Sequence, residues 1–174
     1  AGLLRTSMRS KGFTLYLEPK ALYNSVEAAA VVPEEFEVPF GKARIRREGT
    51  DLTIITYGNT THFCLNVAER LAKESGWEVE VIDLRSLIPL DKETIFESVK
   101  KTSKALVVHE DKVFSGFGAE VAATLGTEMF RHLDAPIRRV GSTFTPVGFH
   151  PVLERAILPD EEKIYATAKE LLEY

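Results

Sequence analysis

The sequence contains a single cysteine, Cys64, among its 174 residues. An intramolecular disulfide is therefore excluded, and a reducing compartment is favoured. No apolar run approaches the roughly 20 residues that a membrane-spanning helix needs, and no signal peptide is visible. Because the net charge is −4 and no basic stripe with interleaved aromatics occurs, nucleic-acid binding has little support. These absences predict a soluble cytoplasmic protein that binds neither nucleic acid nor a membrane.

Catalytic signatures are also scarce. The chain has no Gly-x-Ser-x-Gly elbow, no Walker motif, no zinc-ligand spacing and no convincing catalytic triad. Its composition, 44% hydrophobic and 28% charged, is ordinary for a globular protein. The length allows one medium domain, or one domain with an appendage. The residues therefore predict an α/β domain without a self-sufficient active site.

The stretch 48–58 organises the predicted fold. Leu52 to Tyr57 is short, apolar and β-branched without strict alternation, which is typical of a strand covered on both faces in a parallel sheet. Thr60 and Thr61 can cap a helix that ends at Gly76. The strand–helix repetition continues and predicts a three-layer α/β fold. Further strands are predicted at 78–84, 105–109 and 137–140, with an edge strand at 43–47, and Asp91 and Asp160 are predicted helix caps.

The first 41 residues differ in character from the rest of the chain. Residues 1–10 form a short helical pattern that enters a strand-like run at 13–17, with nothing before them to pack on. This abrupt beginning predicts an excised fragment, in which residues 1–17 either pack on a second copy or run loosely along the surface. Residues 19–41, with their prolines, acids and small-residue patch at 28–30, predict an irregular linker.

Two turns and one residue pair are candidates for chemistry. His109-Glu110 lies where a buried strand ends, the place where open α/β sheets bind ligands, and could do acid/base work. A hydrogen-bonded structural pair is the favoured interpretation of these two residues. The turn 115–118 could present N–H groups to an anion, but it lacks a third glycine, so a tight turn that packs Phe117 is favoured. The turn at Gly58 is a second possible anion-binding site, although the N-terminus of any helix would show the same capping pattern.

Other candidates favour structural roles. Asp83 and Arg85 are predicted to form a local ion pair at a strand end. His62 and Cys64 are two residues apart on a helix start and do not share a face, which argues against a metal site. A half-buried thiol is therefore the predicted state of Cys64.

Several strings together resemble a known family. They are Glu-Pro-Lys-Ala-Leu-Tyr at 18–23, Pro-Phe-Gly-Lys-Ala at 39–43, the stretch 47–58, Asp-Leu-Arg-Ser-Leu-Ile-Pro-Leu-Asp at 83–91, Val-His-Glu at 108–110, Gly-Phe-Gly-Ala-Glu at 116–120, Thr-Pro-Val at 145–147 and Leu-Glu at 153–154. In this order and spacing the chain resembles the C-terminal, transketolase-like domain of the β subunit of 2-oxoacid dehydrogenase E1 components. The motif residues are Asp51, Tyr57, Gly58, Asp83, Arg85, Pro89, His109, Glu110, Gly116, Gly118, Glu120, Pro146 and Glu154.

One segment departs from the family pattern. The family commonly has Asp-Thr-Pro-x-Pro where this chain has Phe-Thr-Pro-Val-Gly at 144–148. The segment 149–160 is closer to branched-chain-type or fused α/β E1 enzymes than to the common pyruvate type. The 2-oxoacid substrate, a branched-chain 2-oxoacid or pyruvate, is therefore left open.

The resemblance implies a fold and a division of the chain. The sheet is expected to be mixed and five-stranded, in the order 1-3-2-4-5, with strand 1 antiparallel and the strand from Leu52 in the centre. Residues 1–18 would be the remnant of a preceding pyrimidine-binding domain, residues 19–41 a linker, and residues 42–174 the transketolase-like C-terminal domain.

The resemblance also implies a function. The parent would be a thiamine-diphosphate- and Mg²⁺-dependent E1, which decarboxylates a 2-oxoacid oxidatively and transfers the acyl group to lipoyl groups of E2. This domain would serve assembly and E2 docking, with an E1 α part and a second β part as further partners. No residue is carried over as catalytic, cofactor-binding or metal-binding, so the chain alone is expected to bind no cofactor, to be inactive, and to self-associate. The expected E2-docking groups are Glu161, Glu162, Glu170, Glu173 and the carboxylate of Tyr174.

Two alternatives from other classes stay open at this point. One is an independent flavodoxin-like ligand-binding or regulatory module, with a nucleotide or flavin at the turns of Gly58 or Gly116. The other is a small hydrolase that uses His109 and Glu110, for which the sequence offers no clear nucleophile.

Overall fold

A computed structural model describes residues 1–23, 25–26, 29 and 31–174. Four residues of the predicted linker, Asn24, Glu27, Ala28 and Ala30, lie outside it, and so does most of the small-residue patch. The helices and strands run in the order α1 Gly2–Arg9, β1 Arg44–Arg47, β2 Leu52–Thr56, α2 Thr60–Ser75, β3 Val79–Asp83, α3 Lys92–Thr102, β4 Ala105–Lys112, α4 Phe117–Glu128, β5 Arg138–Ser142, α5 Pro151–Ile157 and α6 Glu161–Leu172.

The five strands form one mixed sheet in the order β1-β3-β2-β4-β5. β2 is central and parallel to both neighbours, with Ile54 opposite Val81 of β3 and Leu106 of β4. β5 continues the sheet in parallel beyond β4, and β1 closes the other edge as the antiparallel strand. The predicted strand order, the central strand and the antiparallel first strand are confirmed.

The core lies on both faces of this sheet. Because side chains alternate along a strand, Ile54 and Ile55 of β2 point to opposite faces, and both are completely buried. Ile54 packs in a cluster with residues of α2 and α6, and Ile55 in a second cluster with residues of α3 and α4. A strand buried on both faces has no polar side to alternate with, which explains the continuous apolar run in the sequence.

The helix caps follow the predicted pattern in two of three cases. The Asp91 carboxylate accepts a hydrogen bond from Thr94 N, and the Asp160 carboxylate accepts one from Lys163 N, so both aspartates cap their helices. At α2 the prediction is wrong, because the threonines do not cap. Thr60 Oγ1 donates to the Tyr57 carbonyl at 2.9 Å, and the Thr61 hydroxyl is buried without a partner. Both threonines are buried, and the Thr60 hydroxyl also forms a hydrogen bond of 2.8 Å with the Thr56 hydroxyl of β2.

A buried carboxylate ties the start of the sheet to α3. Glu80 on β3 has no exposed side-chain surface, and it forms an ion pair with Lys101 of α3. Its second neighbour is Gly49 N, which donates at 3.3 Å, while the Oε1 atom has no partner. Burial is the largest single influence and raises the pKa of Glu80, but the hydrogen bonds to its carboxylate, first that of Lys101, and the charge of Lys101 together outweigh it, so the pKa is lowered. Lys101 thus stabilises a charge that the core would otherwise exclude.

The N-terminal helix contacts the linker and does not enter the sheet. Arg5 Nη1 donates to the carbonyls of Pro33 and Phe36 at 2.7 and 2.9 Å, and Thr6 Oγ1 donates to the Val38 carbonyl at 2.7 Å. The helix is therefore pinned to residues 33–38, so it does not run loosely. The strand predicted at 13–17 is wrong: in the described structure no strand pairs with this run, and Phe13 is 94% exposed. An extended segment forms a strand only where another strand supplies its hydrogen bonds.

Candidate functional site

The carboxyl edge of the parallel strands contains the position where a ligand would bind. β2 and β3 are consecutive neighbours on one side, and β4 lies on the other side of β2, so the strand order reverses there. Ligands of open α/β sheets bind in the crevice at such a reversal. Here that position is occupied by Tyr57 and Asn59 after β2, and by His109 and Glu110 on β4.

His109 lies at the base of the crevice, and its side chain is completely buried. Its Nδ1 atom lies 3.1 Å from the Asp111 carbonyl, which fixes the ring. Its Nε2 atom has no hydrogen-bond partner and faces Gly118, where any Cβ would overlap it. Burial lowers the pKa of His109, with the Asp111 backbone and charge opposing in part. The imidazole is therefore a neutral packing group, and it lacks the open nitrogen that a general base needs.

One aromatic ring stacks on the histidine, and a second ring packs against the first. Tyr57 stacks on His109 with 6.1 Å between ring centroids, and it meets Phe117 edge-on at 6.2 Å. Burial, helped by the charges of Asp111 and Glu110, raises the pKa of Tyr57 to about 12. The phenol therefore stays protonated near neutral pH. The three rings lie in the crevice in which a flavin or nucleotide would have to bind.

Glu110 does not pair with His109, which corrects the predicted hydrogen-bonded pair. Adjacent residues of a strand point to opposite faces, so the two side chains diverge. The Glu110 carboxylate is exposed and accepts a hydrogen bond from Asn59 Nδ2 at 3.3 Å. The small-hydrolase alternative, which needs the two groups together, has no geometric support.

The turn 115–118 is a tight turn, as favoured. Ser115 adopts the left-handed conformation with φ 62°, and Gly116 precedes the first turn of α4. The Asp111 carboxylate accepts hydrogen bonds from Lys112 N at 2.7 Å and from Phe117 N at 3.4 Å. The chain thus supplies its own anion to this helix start, and Phe117 packs inward. An external anion would meet a carboxylate already in place.

Asp83 and Arg85 do not form the predicted ion pair. Asp83 pairs with Arg46 on the neighbouring strand at 3.7 Å. The Arg85 guanidinium instead donates to the carbonyls of Lys42 and Ala43 at 2.7 and 3.0 Å. Burial raises the pKa of Asp83, and the Arg85 backbone and Arg46 oppose it. Arg85 therefore fastens the segment that enters β1, a role that only the tertiary structure reveals.

Cys64 is completely buried, so the predicted half-buried thiol is wrong. Burial raises the pKa of this thiol to about 12, against a small opposing effect of Thr56. Within the described residues no group of three or more His, Cys, Asp or Glu side chains is arranged to hold a metal ion. In the same part of the chain, no helix combines the length and apolar character needed to cross a bilayer.

The crevice is the packed end of the core, and comparison with known proteins shows the family to which the fold belongs. A family model described as "Transketolase, C-terminal domain" matches residues 41–164. The chain belongs to the transketolase C-terminal domain family. The resemblance carried by the sequence motifs is confirmed.

Curated relatives of this transketolase C-terminal domain are E1 β subunits. The 2-oxoisovalerate dehydrogenase subunit beta of Bacillus subtilis (strain 168) is 38% identical over 174 residues, covering 99% of this chain and 53% of that protein. The pyruvate dehydrogenase E1 component subunit beta of Staphylococcus aureus (strain Mu50 / ATCC 700699) is 42% identical over 173 residues, covering 99% of this chain and 52% of that protein. The chain thus spans about half the length of the curated relatives it matches.

A solved structure gives the same answer at the level of the fold. The chain described as "Split gene transketolase, inactive beta4 tetramer" superposes with a TM-score of 0.69 at 27% identity. The superposition covers 83% of this chain and 45% of that one. The three-layer fold with its mixed five-stranded sheet is therefore that of transketolase-like domains.

The remaining motif residues of the transketolase C-terminal domain have structural places. The Asp51 carboxylate accepts a hydrogen bond from Glu78 N at 2.7 Å, which ties the turn before β2 to β3. Pro89 packs against Gly41, where an added Cβ would approach its ring at 3.0 Å. Gly58 has φ 66° at the end of β2. Three motif residues, Glu120, Pro146 and Glu154, lie on the surface.

The acids expected to dock E2 lie on α6 and just beyond it, and most have a local partner. Glu161 accepts from Asn66 Nδ2 and Glu162 pairs with Arg70, both at 2.7 Å. Glu170 pairs with Arg138 near the other end of the helix. The remaining two are Glu173, 3.7 Å from Lys169, and Tyr174, which is 73% exposed.

Sequence reasoning missed one surface. Residues 142–153 contain no Asp, Glu, Lys or Arg, and several of their apolar side chains are exposed. Phe144 is 70% exposed, and Phe149 is exposed completely. The sequence contained a signal for this surface. The loop after the last strand has a run of apolar residues without neighbouring charges, which is typical of an interaction surface.

Proposed function

We propose that this chain is the assembly and E2-docking domain of a thiamine-diphosphate-dependent 2-oxoacid dehydrogenase E1. The observation that carries the proposal is its alignment, over 99% of its length, with about half of each of the Bacillus subtilis and Staphylococcus aureus E1 β subunits. The parent enzyme would decarboxylate a branched-chain 2-oxoacid or pyruvate and pass the acyl group to E2. Residues 1–18 would belong with a pyrimidine-binding domain, and residues 19–41 would link it to this one. The family match, which begins at residue 41, supports this division.

The side chains that could bind a metal favour a role of this chain in assembly and not in catalysis. Thiamine diphosphate is held through Mg²⁺, which needs hard oxygen ligands that converge. The described residues bring no group of three or more His, Cys, Asp or Glu side chains together, and the crevice beside β2 contains the rings of Tyr57, His109 and Phe117. The residues present do not fit the cofactor, so we assign the chain no step of the reaction. The cofactor site would lie in other parts of the E1 assembly, formed with an E1 α part and a second β part.

Docking would use the carboxylates at the two ends of α6. The E2 partner is a small basic domain, and charged groups at the rim of an interface raise the association rate. Glu161 and Glu162 begin the helix, and within the described part of the chain their hydrogen-bond partners are Asn66 and Arg70. Basic side chains of a partner can therefore take over these hydrogen bonds without unfolding any part of the chain.

Docking is tested by measuring the affinity of the chain for the peripheral-subunit-binding domain of its E2. Glu161→Lys combined with Glu162→Lys is expected to weaken binding about 10-fold or more at low salt, mainly through the association rate, and to flatten its salt dependence. A matched control, Glu34→Lys with Glu97→Lys, makes the same change of charge at exposed positions outside α6 and should bind like the wild type. Equal affinities of wild type and the α6 variant at low and physiological salt would remove these acids from the interface.

The absence of a cofactor site is tested separately. Calorimetric titration of the chain with thiamine diphosphate and Mg²⁺, and with FMN, is expected to give no specific heat. Saturable binding of FMN that is lost on substitution of Tyr57 would instead support the ligand-binding module. Saturable binding of thiamine diphosphate that is lost in His109→Ala would support a stand-alone enzyme.

Self-association is part of the same proposal. An E1 β part works beside a second one, and a structural relative is described as a β4 tetramer without activity. We expect this chain to form dimers with copies of itself in solution.

A further inference from the structure

The second half of the predicted linker has a fixed place in the structure. We name residues 33–43 the strap, because they run from the contacts of α1 to the start of the sheet. Pro33 and Pro39 limit the backbone conformations that the strap can adopt, and prolines make a linker a semi-rigid spacer. The Val38 side chain is only 7% exposed. The position of such a spacer depends on what holds its two ends.

The amino-terminal end of the strap holds α1. Arg5 and Thr6 donate three hydrogen bonds to carbonyls of the strap. The helix backbone also packs closely, since a Cβ added at Gly2 would lie 2.7 Å from Val38 Cγ2. Among the described residues, the side-chain hydrogen bonds and ion pairs that α1 forms with distant parts of the chain all end within 33–38. The strap is therefore what positions α1.

The carboxyl-terminal end of the strap is bound by two side chains from the loop after β3, Arg85 and Asp91, which we name the clamp. The Arg85 guanidinium donates to the Lys42 carbonyl through Nε at 3.1 Å and through Nη2 at 2.7 Å. It also donates to the Ala43 carbonyl at 3.0 Å. Asp91 Oδ2 accepts from Ala43 N at 2.9 Å. Hydrogen bonds in which one group is charged are stronger than neutral ones, so this end of the strap is held firmly.

The clamp is itself fixed by the fold. Asp91 caps α3 and accepts from Thr94 N at 3.3 Å and from Thr94 Oγ1 at 2.8 Å. Arg85 adopts φ 56° in the turn that follows β3, and its N–H donates to Asp83 Oδ1 at 3.2 Å. Both clamp residues therefore have their positions set by neighbouring elements of the sheet layer. The sheet, the clamp, the strap and α1 form one continuous series of contacts.

We infer that the clamp and the strap are an orientation device, which holds α1 at one position relative to the sheet. Arg85 is its positioning residue, because it supplies three of the four hydrogen bonds between the clamp and the strap. In the proposed parent, where α1 belongs with the pyrimidine-binding domain, the device would set the angle between two domains. That consequence rests on the proposed function, whereas the device in this chain does not. It is also separate from E2 docking, which uses α6.

The test is the distance between two spin labels on the full 174-residue chain. Met8→Cys places one label on α1, and Glu97→Cys places the other on α3; both positions are exposed. Cys64 is buried and stays unlabelled. Dilution with unlabelled chain removes distances between copies. Pulsed electron paramagnetic resonance is expected to give a single narrow distance distribution when the clamp is intact.

Substitution of the positioning residue should abolish this narrow distribution. Arg85→Met keeps a long side chain but removes all donors, so α1 should then sample a broad range of distances. Arg85→Lys restores a donor and should give an intermediate width. Arg44→Met is the matched control, since it makes the same substitution at an exposed position on β1 and should keep the distribution narrow. Circular dichroism establishes that the variants are folded.

Two further measurements do not depend on this one variant. Arg5→Met cuts the other end of the strap without touching the sheet, and it should also broaden the distribution. Hydrogen exchange follows the Ala43 amide, which donates to Asp91. Its protection should fall about 10-fold or more in Arg85→Met, because loss of hydrogen bonds from a charged group makes local opening easier.

Three outcomes would overturn the inference. They are a broad distribution with the clamp intact, a narrow one that survives both Arg85→Met and Arg5→Met, and equal broadening in Arg85→Met and Arg44→Met. The last result would assign the effect to the lost charge and not to the hydrogen bonds. Arg85→Met should bind the E2 domain like the wild type, so failure of the docking proposal is seen separately from failure of this inference.

Discussion

The contact between Gly118 and His109 gives a quantitative test of the packed crevice. Gly118 lies in the first turn of α4, and a Cβ added there would overlap His109 Nε2. The ring has nowhere to move, because Asp111 holds its other nitrogen, Tyr57 covers it, and Gly141 approaches its edge. Gly118→Ala must therefore overpack the core and break the hydrogen bond to Asp111.

The expected cost is the sum of these two effects. Overpacking a dense core costs roughly 1–3 kcal/mol, and loss of one hydrogen bond roughly 1 kcal/mol. The two costs sum to roughly 2–4 kcal/mol, and the higher helix propensity of alanine offsets up to about 1 kcal/mol. We therefore expect the free energy of unfolding to fall by about 1–3 kcal/mol, which lowers Tm by roughly 3–10 °C in a domain of this size. Urea unfolding followed by circular dichroism, together with calorimetry, measures both quantities.

Gly126→Ala is the matched control on the same helix. A Cβ there has only Ile137 Cδ1 within reach, at 4.0 Å, so no clash arises. Replacement of a glycine inside a helix should then stabilise the chain by up to about 1 kcal/mol. In the His109→Ala background the overlapping ring is gone. Gly118→Ala should therefore cost much less stability there than it does in the wild type. If Gly118→Ala and Gly126→Ala have the same stability, the packing role of His109 is refuted.

Two further predictions concern charge in the core. Burial lowers the pKa of His109 in the folded protein below the value of about 6.5 that the residue has in the unfolded chain. The neutral ring therefore contributes its full stability above about pH 6.5, and this contribution is lost as the pH falls below that value. The free energy of unfolding should decrease by at most about 1.4 kcal/mol per pH unit. Urea unfolding at a series of pH values should show this slope in the wild type and a shallower one in His109→Gln, and equal slopes would contradict it. Lys101→Met strands the Glu80 carboxylate and should cost about 1–2 kcal/mol at neutral pH, less than for a fully buried pair because Lys101 is 40% exposed. The neighbouring exposed Lys100→Met should cost almost nothing, and the cost of Lys101→Met should disappear when Glu80→Gln is also present.

The amino-acid sequence determined the layers of the fold. The continuous apolar run at 52–57 can be satisfied only by cover on both faces, and the helical stripes at Cys64, Ile95 and Ile164 supply that cover. Asp91 and Asp160 cap their helices through contacts within three residues, so their roles could be read locally. The strand order and the family came from the motif resemblance, since local pattern does not specify which strands become neighbours.

Only the tertiary structure decided the roles that depend on distant partners. Arg85 binds carbonyls 42 and 43 residues away in place of Asp83, because the chain entering β1 passes beside it. His109 and Glu110 separate because a strand points successive side chains to opposite faces, and Cys64 is buried because α2 turns it onto β2. The residues 13–17 look like a strand but find no neighbour, and the apolar side chains around Phe149 look like a core but face outward. Burial is a property of what packs against a residue, and that is fixed by the assembled chain rather than by its local sequence.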